Sequence, residues 1–164
     1  MPHGPRFAKS PVIPEHQFLH GPTGGREECR CGGGMHLRFD RKHQVLLITF
    51  GKLATQASAL ATYSAVERFV AAEGPCSVIA DLSLLEKVEV PGHFVRSMAW
   101  MPLVIPVGKQ RVLVAPRAAV YGLARMFQLY RDAMSNDVHV VHTLEEAHTL
   151  LGLDSPDFET VDAK

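Results

Sequence analysis

The sequence predicts an α/β domain, a single mixed β-sheet with covering helices. Three observations carry this expectation. Val112–Leu153 reads as a strand, a long amphipathic helix, a second strand and a capped helix with almost no slack between them. Two strand-like runs, Met35–Asp40 and Gln44–Phe50, are separated only by Arg41-Lys42-His43, the pattern of a β-hairpin. Strands and helices then alternate through the middle of the chain, which requires crossovers, and these are right-handed almost without exception. The expected order is β-β-α-β-α-β-α-β-α.

Each element has a local reason. Val45, Leu46, Leu47 and Ile48 are continuous apolar residues, so the second strand should be central and covered on both faces. Thr55 is placed to cap a helix over Gln56–Glu73. Ala59, Tyr63, Val66 and Val70 fall on one face of it, and Gly74-Pro75 ends it. Ser77–Leu82 is the next strand, followed by a loop, Ser83–Val90. Pro91 suits the first position of a short helix, Pro91–Met101. Its inward face would be Phe94, Val95, Met98 and Met101, and its outward face His93, Arg96, Ser97 and Trp100. Leu103–Gly108 is an apolar connector broken by Pro106.

Arg111–Ala115 is predicted as a strand, Ala118–Met134 as a helix and Val138–His142 as a strand. Leu123, Phe127, Tyr130 and Met134 form the helix's expected core stripe, with Tyr121, Arg125, Gln128 and Asp132 opposite. Thr143-Leu-Glu-Glu146 is a capping box, and Leu144, Ala147 and Leu151 bury the last helix up to Gly152. The folded domain is therefore expected over residues 35–153, followed by a polar C-terminal tail over 154–164.

Residues 1–34 differ. They hold five of the eleven prolines and end on Gly32-Gly33-Gly34, with no periodic apolar pattern. Such a composition cannot bury enough apolar surface to offset chain entropy. The segment is expected to be disordered. Alternatively it is an untranslated leader, because Met35 follows Gly-Gly codons that can spell a purine-rich ribosome-binding sequence.

Composition excludes several classes. At 164 residues the chain can build one real core. Lys and Arg total 17, as do Asp and Glu, so no broad basic field is available for nucleic acid or a membrane surface. No apolar run reaches the roughly 18 residues of a membrane span, and Met1–Ser10 lacks the apolar core of a signal peptide. A cytoplasmic location is expected. The odd count of 3 cysteines argues against a secreted disulfide scaffold, and Cys76 reads as a small buried hydrophobe.

The layout over Met35–Leu153 resembles the STAS domain, the fold of anti-sigma-factor antagonists, and the STAS/SEC14-like proteins related to it. The features that carry the resemblance are the opening hairpin, Asp81-Leu82-Ser83, Val114-Ala-Pro-Arg117, Tyr121-Gly-Leu-Ala-Arg-Met-Phe127 and Glu145-Glu-Ala-His-Thr-Leu-Leu-Gly152. It implies a regulatory protein–protein interaction module without catalysis. Antagonists of this family carry Asp-Ser-Ser-Gly after the third strand, where a serine is phosphorylated. The aligned residues here are Glu89-Val90-Pro91-Gly92, and neither Val90 nor Pro91 can accept a phosphoryl group. Ser83 and Ser97 are nearby hydroxyls, but neither stands at the helix start.

The expected partner-binding residues are Ser83, Glu89, Gly92, His93, Trp100, Tyr121, Arg125 and Gln128. Tyr121, Arg125 and Gln128 mix aromatic and polar groups on one helix face, as interfaces do and as a solvated face also can. Trp100 with Leu103, Val104 and Ile105 would form an exposed apolar patch, covered by a second copy of the chain, unless the connector folds over the core. The competing class is a small-molecule or lipid binder of SEC14-like type, using an apolar groove beside Phe94, Trp100 and Ile105. A filled core with an exposed Trp100 patch would favour a protein partner, and an internal apolar cavity would favour a ligand.

No catalytic set, cofactor or metal site is implied. His16, His20, Cys29 and Cys31 are zinc-ligand types, but Cys-x-Cys within a Pro/Gly-rich segment departs from the usual Cys-x₂₋₄-Cys spacing. His139 and His142, three apart on a strand, face opposite sides. His43, His93 and His148 lack a sequence-assignable partner for general-base chemistry.

Overall fold

The first two strands, β1 (His36–Asp40) and β2 (Val45–Thr49), pair antiparallel around a turn in which Gln44 takes a left-handed φ of 54°. The computed structural model describes residues 34–102, 104–106, 108–133 and 137–161. The remaining elements are β3 (Leu53–Thr55), α1 (Gln56–Glu73), β4 (Ser77–Asp81), β5 (Lys87–Glu89), α2 (Gly92–Ala99), β6 (Arg111–Val114), α3 (Ala118–Asp132), β7 (Val138–Val141), α4 (Leu144–Leu151) and β8 (Glu159–Thr160). One six-stranded sheet has the order β7-β6-β4-β2-β1-β8, and β3 pairs with β5 in a second, small one. β2, β4, β6 and β7 are mutually parallel, while β1 and β8 run antiparallel to their neighbours. The expected α/β class with one main mixed sheet is therefore the observed one.

The apolar run of β2 explains the layering. Leu46 and Ile48 join Leu37, Phe39 and Val78 beneath Val66 and Phe69 of α1. Val45 and Leu47 point the other way and pack with Ile79, Val112 and Val114 beneath Ala147 of α4. A strand alternates faces at every residue, so four consecutive buried apolar residues require cover on both sides. The helices α1 and α3 lie on the first face, α2 packs on α3, and α4 closes the second.

Caps hold the helix ends where the sequence places them. Thr55 and Ser58 exchange reciprocal side-chain and backbone hydrogen bonds, 3.1 and 2.8 Å. Thr143 Oγ1 accepts from Glu146 N–H at 3.1 Å. Glu146 reaches back one residue further than a capping box requires, accepting from the His142 backbone N–H at 2.8 Å. Gly152 stops α4 with φ 64°, a conformation that strains any residue with a Cβ.

Several expectations are corrected. The segment read as a polar tail is, over its described residues, part of the sheet: β8 pairs with β1, and Val161 and Phe158 pack on the two cores. The loop Ser83–Val90 contains β5, which finds a partner in β3. Pro91 has ψ 150° and is the N-cap of α2 rather than its first residue, and α2 ends at Ala99. On α3 the most deeply buried residues are Val120, Ala124 and Arg131, not Leu123, Phe127 and Tyr130. The connector folds over the core, with Ile105 only 3% exposed and Val104 packed beside it. The patch expected around Trp100 is thereby broken up. Residues 1–33, 103, 107, 134–136 and 162–164 lie outside the described residues.

Candidate functional site

Parallel pairing of β4 with β6 sets Val78 opposite Arg111 and Ala80 opposite Leu113. Paired residues share a sheet face, so these four side chains form a floor beneath the helices. α1 crosses one side with Ala59, Thr62, Tyr63 and Val66, and Met98 of α2 and Phe127 of α3 form the other wall. The walls do not meet. Two adjoining half-open pockets of about 210 Å³ each remain, sharing Phe50, Ala59, Met98, Leu113 and Phe127. The first extends to Val104, Ile105 and Arg111, and the second extends beneath Leu85, Val88, Phe94 and Leu123. Both linings are almost wholly apolar. An apolar cavity of roughly 150 Å³ already holds a benzene-sized molecule, so each lobe exceeds that need.

Arg111 is the charged residue in the lining of the first pocket, and Arg131, which lines neither pocket, is buried close enough for its charge to act on it. Arg111 opens β6, and its mostly buried side chain places Nε 3.6 Å from Asp137 Oδ2. Arg131 lies in the last turn of α3 and is 1% exposed. Its Nη1 donates to the carbonyls of Ala99 at 2.6 Å and Met101 at 2.9 Å, tying the end of α2 to α3. In both arginines Nε and Nη2 are buried without a hydrogen-bond partner. Burial lowers the Arg111 pKa from the ordinary guanidinium value, Asp137 opposes this, and the charge of Arg131 adds to it. Tyr63 donates its hydroxyl to Pro102 O at 3.1 Å. Burial raises its phenol pKa, Glu67 adds to that, and both arginines oppose it, so the three side chains share one neighbourhood. An unsatisfied buried donor costs about 1–3 kcal/mol, more when charged.

The residues expected to bind a partner fall in three places. Ser83 is half-buried, and its backbone N–H donates to Asp81 Oδ1 at 3.0 Å. Glu89 is exposed on β5 with Lys87 Nζ at 2.5 Å, and Gly92 and His93 open α2, exposed. Tyr121 stacks on His142 with centroids 4.3 Å apart and rings 8° from parallel. Gln128 accepts from Arg125 and donates to Val138 O at 2.8 Å, so Gln128 leans on β7 while Arg125 stays exposed. Trp100 is 56% exposed and does not line either pocket, which corrects its expected place beside a groove with Phe94 and Ile105.

Sequence reasoning missed two residues, Arg111, which brings charge to the first pocket, and Arg131, buried within reach of it. A signal was present: Arg131 continues the Val120–Ala124 line at helical spacing, a cation on an apolar stripe. Cys76 is fully buried, and its burial pushes the thiol pKa up to about 11, against the pull of Lys109, which fits packing rather than nucleophilic chemistry. Among the described residues, no group of three or more His, Cys, Asp or Glu side chains gathers to hold a metal. His16, His20, Cys29 and Cys31 lie outside them. No helix among the described residues is long and apolar enough to cross a membrane. Compared with known families, curated proteins and solved structures, the chain matches none, so the likeness to STAS domains rests on the motifs quoted from its own sequence.

Proposed function

We propose that this chain binds a small, largely apolar molecule between α1, α2 and α3, without transforming it. The observation that carries this reading is the pair of adjoining apolar pockets over the β4–β6 floor. Close packing leaves few voids larger than a water molecule in a protein interior, and ligand sites are concave, mostly apolar and few per protein. A regulatory interaction module, implied by the STAS resemblance, is the second reading, supported by the exposed Trp100. The burial of Ile105 takes away the patch that would have made that surface continuous.

The test is a titration of the full chain with N-phenyl-1-naphthylamine, a neutral apolar fluorophore. Saturable binding near one per chain, blocked by Ala59→Phe, supports the pocket because Ala59 lines both lobes. A signal that Ala59→Phe leaves unchanged in a folded variant overturns it.

A further inference from the structure

The lining of the two lobes bears on the length and charge of their occupant, given that the pocket is a ligand site. The same floor and the same walls run along both lobes. Leu113 of β6 lies beneath each, Ala59 of α1 stands on one side, and Met98 of α2 and Phe127 of α3 stand on the other. The boundary between the lobes is therefore made of side chains, and Met98 is the most deformable of them. Beyond it the lobes diverge. The first reaches Val104 and Ile105, and the second reaches Val88 and Leu123. Each lobe, at about 210 Å³, is larger than the roughly 150 Å³ that holds benzene. Together they suit a molecule longer than a single ring.

Polar chemistry is missing from most of this trough. Every residue lining the second lobe is apolar. The first lobe adds three polar residues, Thr62, Tyr63 and Arg111. The Thr62 hydroxyl donates to Ser58 O at 2.8 Å and the Tyr63 hydroxyl to Pro102 O at 3.1 Å, so both hydrogens are committed. Arg111 turns its Nε toward the Asp137 carboxylate at 3.6 Å, and its Nε and Nη2 are buried. An ionised group carried into either lobe would lose its water and gain no hydrogen bond from these atoms, which is costly. We infer that the ligand is a single uncharged, elongated molecule that spans both lobes, held by apolar contact and burying no ionised group in either.

The test measures 1-hexanol, 1-decanol and decanoate against the full chain by isothermal titration calorimetry. Each buried methylene tightens binding about fourfold, so a spanning ligand predicts decanol about a hundredfold or more tighter than hexanol. Decanoate, ionised at neutral pH, should bind at least about tenfold more weakly than decanol. Val104→Phe narrows only the first lobe and Val88→Phe only the second. Each should weaken decanol about tenfold or more and change hexanol by less than about threefold, because the shorter molecule keeps the other lobe. If either variant, folded, leaves decanol unchanged, the ligand occupies one lobe and the spanning mode is overturned. If decanoate binds as tightly as decanol, the uncharged ligand is overturned and the apolar pocket stands. If neither alcohol binds, the pocket reading itself falls.

A second measurement needs no variant. With decanol bound to the unaltered chain, nuclear Overhauser effects from its two ends should reach different lobes, one end the methyls of Ile105 and the other those of Val88 and Leu123. Both ends reporting on the same lobe would overturn the spanning mode.

Discussion

Two charged side chains are equally deep in this protein and are treated in opposite ways. Asp40 and Arg131 are each 1% exposed. Asp40, at the end of β1, accepts from His43 Nδ1 at 2.8 Å, from the His43 backbone N–H at 2.9 Å and from the Asp157 backbone N–H at 3.0 Å. Burial alone would raise its pKa, but these hydrogen bonds and the nearby His43 outweigh that and hold it below the ordinary carboxylate value. Arg131 satisfies one nitrogen and leaves two without a hydrogen bond. The Asp40 corner is a closed knot joining the hairpin turn to the C-terminal strand. The Arg131 corner ties α3 to the end of α2 and leaves part of its guanidinium without a hydrogen bond. A buried charge is costly unless paired, so the satisfied one stabilises its corner and the half-satisfied one weighs against its own.

The comparison can be broken by substitution. Asp40→Ala leaves three donors facing nothing and should destabilise the fold by about 3 kcal/mol, read as a fall in the urea midpoint. An unchanged midpoint would show that the knot contributes little. Ala59→Phe partly fills both lobes, and should raise stability by about 1 kcal/mol while displacing the naphthylamine probe. A destabilised variant would mean that the walls cannot accommodate the ring. Arg131→Met gives up two hydrogen bonds but removes a half-satisfied buried charge of similar length. These effects should nearly cancel, leaving stability within about 1 kcal/mol of the parent, in contrast with Asp40→Ala.

Acid sharpens the same contrast. The Asp40 pKa is lowered on folding, so its contribution is fully present above the unfolded aspartate value, about 3.9, and is lost as pH falls through the lower folded value. Asp40→Asn should therefore flatten the dependence of stability on pH below about 4, while Arg131→Met leaves it as it is. Denaturant titrations at several acid pH values check both, and an undiminished acid slope in Asp40→Asn would remove Asp40 from the account.

Much of the architecture was legible because its signals are local. The apolar run Val45–Ile48 demanded a doubly covered strand, and Thr55, Gly74, Thr143 and Gly152 mark helix ends through hydrogen bonds and φ values made within a few residues. The strands β3 and β5 were illegible for the converse reason. Each has only three residues, and each is a strand only because Leu53 meets Lys87 far along the chain. β8 is two exposed polar residues with no apolar alternation to mark them, held by β1 and by the Asp157–Asp40 hydrogen bond.

The site divides along the same line. The sequence by itself determined that α1, α2 and α3 carry apolar faces and that a sheet lies beneath them, since periodicity is written in the order of residues. Only the tertiary structure decided that those faces leave a gap, that Trp100 stands apart from it, and that Arg111 of β6 lines it while Arg131 of α3 is buried within reach of Arg111. Arg111 and Arg131 are separated by a full strand-to-helix crossover, and burial and missing hydrogen bonds belong to a folded neighbourhood that no local pattern encodes.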